Sequence, residues 1–251
     1  MLQSGTRALV TGGSGGLGSE TVRMLARHGV HTIALSNDAP KLAALEGIEN
    51  VEPVLLDVTD DRALKARFAN ERIDIVVNAA AMLGMTGTIW STATDEARRL
   101  LDVNIVGIQA VLAATVPGMV ERNRGHIVNI GSIAGPYPST GQPIYSVTKA
   151  AVHSISSNLR MELFGTDVRV TELRPGRVRT GMHAEMFGGD YSKSDALFYD
   201  PYKCLMPEDI AEAIRYVLSA PPHVCIAQME IVPTHQVVGG TRMYSRNAPR
   251  T

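Results

Sequence analysis

Short β-branched and aliphatic runs alternate with longer amphipathic stretches along most of the chain, and no other feature limits the fold as much. The runs are RALVT (7–11), HTIAL (31–35), VEPVLLDV (51–58), IDIVVNAA (73–80), GHIVNIGS (125–132), DVRVTELRP (167–175) and CIAQMEIV (225–232). They are nearly continuous in apolar character, as strands covered on both faces require. Helical patterns lie between them, for example over 18–28, 95–121 and 143–164. Repeated β and α elements imply right-handed crossovers between parallel strands. The expected fold class is therefore α/β: a doubly wound parallel sheet of about seven strands, helices on both faces, in a single domain.

Composition excludes several classes of function. Of the 251 residues, 45% are hydrophobic, and the net charge of −1 leaves no basic excess for nucleic acid and no acidic tail. The two cysteines, Cys204 and Cys225, are too few for a disulfide framework and are read as reduced thiols. No metal-ligand spacing occurs among the seven histidines, so no metal site is expected. The first strand begins at Arg7, which leaves no room for a signal peptide. No apolar run is expected to reach the roughly 20 residues that span a bilayer. The expectation is a soluble, cytoplasmic protein without a membrane partner.

The most specific local signal follows the first strand. Thr11-Gly12-Gly13-Ser14-Gly15-Gly16-Leu17-Gly18 opens the first helix, where glycines permit close approach to a pyrophosphate and free N–H groups face its charge. The spacing T-G-x-x-x-G-x-G resembles the short-chain dehydrogenase/reductase family, whose members have a Rossmann-type sheet. The resemblance implies that Asp57-Val58 contact the adenine ring and that Asn78-Ala79-Ala80-Ala81 stand for the family's N-N-A-G. Ala79 and Ala81 depart from that motif. It also implies that Pro175-Gly176-Arg177-Val178-Arg179-Thr180 matches P-G-x-V-x-T. There Pro175 and Gly176 turn past the nicotinamide, while Val178 and Thr180 fix its carboxamide.

A catalytic set follows in the family's order. Ser132 ends the fifth strand, Tyr145 lies thirteen residues on, and Lys149 follows four later. An i,i+4 pair shares a helix face, so the Lys149 charge is expected to draw the Tyr145 phenol down towards operating pH. Ser132 would hold the reacting oxygen. Asn104 matches the fourth family residue, implying that it holds a relay water for Lys149.

The ribose reader falls at Ser36-Asn37-Asp38. With no acid at Ser36, nothing repels a 2′-phosphate, and with no arginine at Asn37, nothing invites one. NADP(H) is favoured over NAD(H), with an inward-turned Asp38 as the argument for NAD(H). Val116–Asn123, Gly125–Gly135 and the run from Pro207 to Thr234 resemble the branch that oxidises 3-hydroxy acids with NADP. Arg174, Arg177 and Arg179 could grip a carboxylate, and His183 joins Arg177, Arg179, Ser132 and Tyr145 as a tentative substrate residue. The alternatives are a reductase for an uncharged ketone or aldehyde and, more remotely, a non-catalytic nucleotide-binding regulator.

The nucleotide-binding half is expected over about 1–130 and the catalytic half over about 131–234. Within the latter, 175–206 reads as a substrate lid. The tail at 235–251, with Gly239, Gly240 and Pro249, is expected to be irregular. Family resemblance also implies a homotetramer, or a homodimer, built partly from the 95–121 and 143–164 helices. Ala110, Val111, Ala113, Ala114, Ala150, Ala151 and Val152 are the candidate contact residues.

Overall fold

The computed structural model describes residues 2–138 and 140–245. Seven strands form one all-parallel sheet: β1 (Arg7–Thr11), β2 (His31–Ser36), β3 (Val51–Leu55), β4 (Ile75–Asn78), β5 (Gly125–Ile130), β6 (Val168–Pro175) and β7 (Gln228–Ile231). Their order is β3-β2-β1-β4-β5-β6-β7. The chain reverses its direction of winding between β1 and β4, whose C-terminal residues Thr11 and Asn78 are register partners. Ligands of doubly wound sheets bind at such a switch point.

Helices α1 (Gly16–Arg27), α2 (Ala39–Ala43), α3 (Asp61–Phe68), α4 (Thr94–Leu101), α5 (Gly107–Glu121), α6 (Pro143–Glu162), α7 (Tyr191–Phe198) and α8 (Pro207–Ser219) complete the chain. Two buried clusters flank the sheet. Val22, Leu25 and the α8 residues Ile210, Ile214 and Val217 cover one face. Leu64, Phe68, Val111, Met119, Val152 and Leu159 cover the other. The fold is the expected doubly wound sheet in one domain.

Several boundaries differ from the sequence reading for physical reasons. Strand β3 stops at Leu55 because it is the sheet edge, where Pro53 lacks a donor and residues 56–58 leave to wall the cleft. The 95–121 pattern is one continuous helical path, Thr94–Glu121, in which a π-turn, Asp102–Val106, joins α4 to α5. This path is long and apolar enough to cross a membrane by length and composition, contrary to the expectation that no such run exists. Its apolar character has a local cause. Ile108, Ala110, Val111, Leu112, Ala114 and Met119 are buried against the sheet and α3.

The segment 175–206 is not one irregular connection. It holds a 3₁₀ turn, Gly181–Phe187, and α7, each capped by the preceding side chain, Thr180 and Asp190 respectively. The described part of the tail also folds back on its own chain. Buried Gln236 accepts from the Arg177 N–H at 2.9 Å and donates to the Gly240 carbonyl at 3.2 Å. Pro249 lies outside the described residues.

Candidate active site

At the switch point a cleft of about 1270 Å³ runs from the glycine loop to the 3₁₀ turn. The loop between β1 and α1 is shaped by necessity. Gly12 has φ +62°, and a Cβ there would stand 2.8 Å from the Ala80 Cα. A Cβ on Gly18 would collide with the Gly12 carbonyl. The cradle is therefore closed to side chains and open to a phosphate, beside the free N–H groups of α1. Gly12, Ser14, Gly16, Leu17 and Gly18 all line the cleft, as do Ser36, Asn37, Asp57, Val58, Ala79, Ala80, Pro175, Gly176, Val178 and Thr180. A dinucleotide fits this lining in length and in chemistry.

Asn78 does not line that cleft. It is buried beneath it on β4 and donates to the Asn129 Oδ1 at 2.8 Å, linking two strand ends. Ser36 shares a 2.7 Å hydrogen bond with Ser14, tying the glycine loop to β2. Asp57 accepts from Thr59, through backbone and hydroxyl, and from the Asn37 amide. Burial resists its ionisation, but these donors hold its carboxyl below the usual range. Asp38 lines the cleft, but its carboxylate is engaged within its own element. It caps α2 through the Lys41 N–H and pairs with the Lys41 ammonium at 2.7 Å. Lys41 itself lines the cleft and supplies a cation that the sequence reading missed. Its position on α2, rather than at the strand end, hid it. A basic residue in the turn after the ribose-reading strand was the available signal.

Ser132, Tyr145 and Lys149 meet at the other end of the cleft. They come from the loop after β5 and from one face of α6, whose i,i+4 spacing aligns the last two. Lys149 is 3% exposed, donates to the Ile130 carbonyl at 2.9 Å and stands 5.6 Å from the Tyr145 ring centre. Burial draws its pKa down to about 8, against the charge of Glu172. Burial drives the Tyr145 phenol up to about 12, opposed by a hydrogen bond with Ser132. The expected lowering of the phenol by Lys149 is not seen: desolvation dominates, and the Ser132 hydrogen bond is what opposes it.

Asn104 sits in the π-turn, fully buried and off the cleft wall. Its amide accepts from the Met82 N–H at 2.7 Å and donates to the Met82 carbonyl and Thr148 Oγ1 at 2.8 and 3.0 Å. These bonds use both amide hydrogens, so the side chain braces the loop after β4 against α6 and could hold a relay water only as an acceptor, through the second lone pair of Oδ1.

The arginine cluster is dispersed. Arg179 pairs with Asp195 and Asp200 at 2.7 and 2.9 Å and does not line the cleft. Arg174 is spent on fully buried Glu172, which also meets His153 at 2.8 Å. Arg177 does line the cleft, but its guanidinium donates to the Phe198 carbonyl and lies over the Phe198 and Tyr202 rings. His183 lines the cleft from the 3₁₀ turn. The loop after β4 lines the cleft with residues 79–85 and exposes Met85, Ile89 and Trp90. It is pinned by the Gly87 N–H to the Gly141 carbonyl.

A doubly wound sheet with a phosphate cradle at its switch point and a Ser-Tyr-Lys group beyond it defines a nucleotide-binding dehydrogenase scaffold. The sequence model of the short chain dehydrogenases matches residues 6–189, and the chain belongs to that family. It is 37% identical over 244 residues to the NADP-dependent 3-hydroxy acid dehydrogenase YdfG of Salmonella typhi, covering 94% of this chain and 98% of that protein. A sulfoacetaldehyde reductase of Chromohalobacter salexigens is 34% identical over 237 residues, covering 90% and 93%. Among solved structures, the closed form of serine dehydrogenase complexed with NADP+ superposes with a TM-score of 0.89 at 35% identity, over 95% of this chain and 99% of that one.

Proposed function

We propose that the protein is an NADP(H)-dependent oxidoreductase that interconverts a small 3-hydroxy acid and its carbonyl compound. The convergence of Ser132, Tyr145 and Lys149 at the far end of a nucleotide cleft carries this reading. The bound nicotinamide would supply or accept the hydride. Tyr145 Oη gives its proton to the substrate oxygen in reduction and takes it back in oxidation. Ser132 holds that oxygen, and the buried Lys149 ammonium stabilises negative charge at the phenol. Asn104 and Asn78 are positioning residues behind this group.

NADP(H) is favoured over NAD(H) by Lys41, by the absence of an acid at Ser36, and by the NADP-linked relatives. Segment 175–206 acts as the lid, closing the catalytic half (131–234) over the nucleotide half (1–130). The reading includes a homotetramer and a cytoplasmic location, with Cys204 and Cys225 as thiols outside any disulfide.

A second reading, reduction of an uncharged ketone or aldehyde, is favoured by one observation: Arg174 and Arg179 already hold acids of this chain. Initial rates with 3-hydroxy acids and with neutral secondary alcohols, using each nicotinamide, separate the two. Tyr145→Phe should lower turnover by about a hundred- to ten-thousandfold, on the scale of a lost acid/base group, with NADP affinity unchanged. Retained turnover in that variant defeats the mechanism.

A further inference from the structure

The lid carries a histidine whose protonation pattern is dictated by its neighbours. Tyr199 is buried and donates its single hydroxyl proton to the Thr180 carbonyl at 2.8 Å. That carbonyl has nothing to donate in return. The Nδ1 of His183 lies 2.6 Å from the same phenol oxygen. With the phenol proton already committed, only an N–H at Nδ1 makes this contact favourable; otherwise two lone pairs face each other. The ring is therefore the Nδ1–H tautomer, and its Nε2 is left as a bare acceptor.

Packing fixes where that acceptor sits. The imidazole stacks on Phe198, with ring centres 4.5 Å apart and planes at 26°, and meets Tyr199 edge-on. Burial, reinforced by the charge of Arg177, holds its pKa down to about 4, so the ring stays neutral at physiological pH. Nε2 has no hydrogen-bond partner among the described residues. His183 lines the same cleft as Ser132 and Tyr145.

Resting on the reading above, we propose that His183 is a specificity residue, a neutral acceptor that reads a hydrogen-bond-donating substituent of the substrate, an ammonium or a hydroxyl other than the reacting one. A carboxylate is excluded from this position, because its oxygens only accept. The acid group of a hydroxy acid must therefore lie elsewhere in the cleft, with the amino or second hydroxyl group turned to the 3₁₀ turn. With Arg179 held by Asp195 and Asp200, His183 is one of the polar groups that the lid presents to the cleft, beside Arg177, Glu185 and Tyr191, and it is the neutral acceptor among them.

The test uses the NADP-loaded enzyme and three acids: serine and glycerate, which carry such a donor, and 3-hydroxypropanoate, which does not. In His183→Phe the kcat/KM of a donor-bearing acid relative to 3-hydroxypropanoate should fall about tenfold, the scale of one lost hydrogen bond. His183→Gln, which keeps an acceptor, should recover most of that ratio, and the NADP Kd should stay constant in both. Whichever of serine and glycerate loses more identifies the donor. An equal loss on all three acids overturns the proposal.

Long-range proton–nitrogen NMR of the histidine-labelled wild-type enzyme reads the tautomer without any variant. A proton on Nδ1 and none on Nε2 supports the assignment, and the reverse overturns it. If the wild type turns over neutral alcohols and no acid, the substrate class above is wrong. The same ratio with a vicinal diol and its matching mono-alcohol then decides the role of His183.

Discussion

At Tyr145 burial and chemistry pull in opposite directions. A phenol pushed up to about 12 is protonated at neutral pH and holds that proton until a substrate oxygen arrives. The i,i+4 spacing of Tyr145 and Lys149 and the strand-end position of Ser132 were legible because chemistry demands those residue types at those places. The magnitude of desolvation was not, since it depends on everything packed around α6. Arg179 teaches the complementary lesson. Its partners lie 16 and 21 residues away, and only the folding of α7 onto the 3₁₀ turn brings them together. Lys41 was missed for a similar reason. Its ammonium is about half exposed, so its hold on a 2′-phosphate is screened by solvent. Lys41→Ala should weaken NADP binding roughly three- to tenfold, with little change for NAD. Titration of both cofactors at two salt concentrations checks this, and an equal loss for both removes Lys41 from the ribose site.

Among the elements, the β5–β6 pair carries a built-in sensitivity to acid. His126 on β5 is fully buried, its Nε2 sharing a 2.9 Å bond with Thr171 on β6. Burial, with the nearby Arg169 charge second, lowers its pKa to about 3, whereas the unfolded chain titrates near 6.5. Between those values the unfolded state binds more protons, so this contribution to stability is complete above pH 6.5 and is lost as pH falls towards 3. The loss should be about 2 kcal/mol by pH 5. His126→Asn should flatten the fall of denaturation midpoint between pH 7 and pH 5, and an unchanged slope would assign the acid sensitivity to another group. Element types were readable from apolar runs and helical periods. The edge of β3 and the π-turn were not, because both depend on what lies alongside.

For the molecule as a whole, the question is what covers the outer helices. Ala110, Val111, Ala114 and Val152 of the candidate contact set are buried in the chain's own core. Ala113 and Ala150 of that set do face outward, beside Val106 and Val120 near α5, Val147 and Met161 on α6, and Phe164, which is 93% exposed. Burying such a surface is what an assembly of like subunits would do. Sedimentation should give four times the chain mass, and Phe164→Asp should shift the enzyme towards smaller species at micromolar concentration. A wild-type monomer at that concentration defeats the assembly. Sequence alone could not separate these faces, because a helix packed against a sheet and a helix packed against a neighbour both read as apolar.

The loop after β4, whose first residues line the cleft, also contains its own optical reporter. Trp90 is the only tryptophan in the chain and is 84% exposed on that loop. Its fluorescence therefore starts from the long-wavelength emission of an indole in water and is not mixed with signal from the core. Emission that moves to shorter wavelength as cofactor and substrate are added would record the loop folding inward, in real time and without a label. Emission that stays constant would mean that the loop is a fixed wall and that all closure comes from the lid.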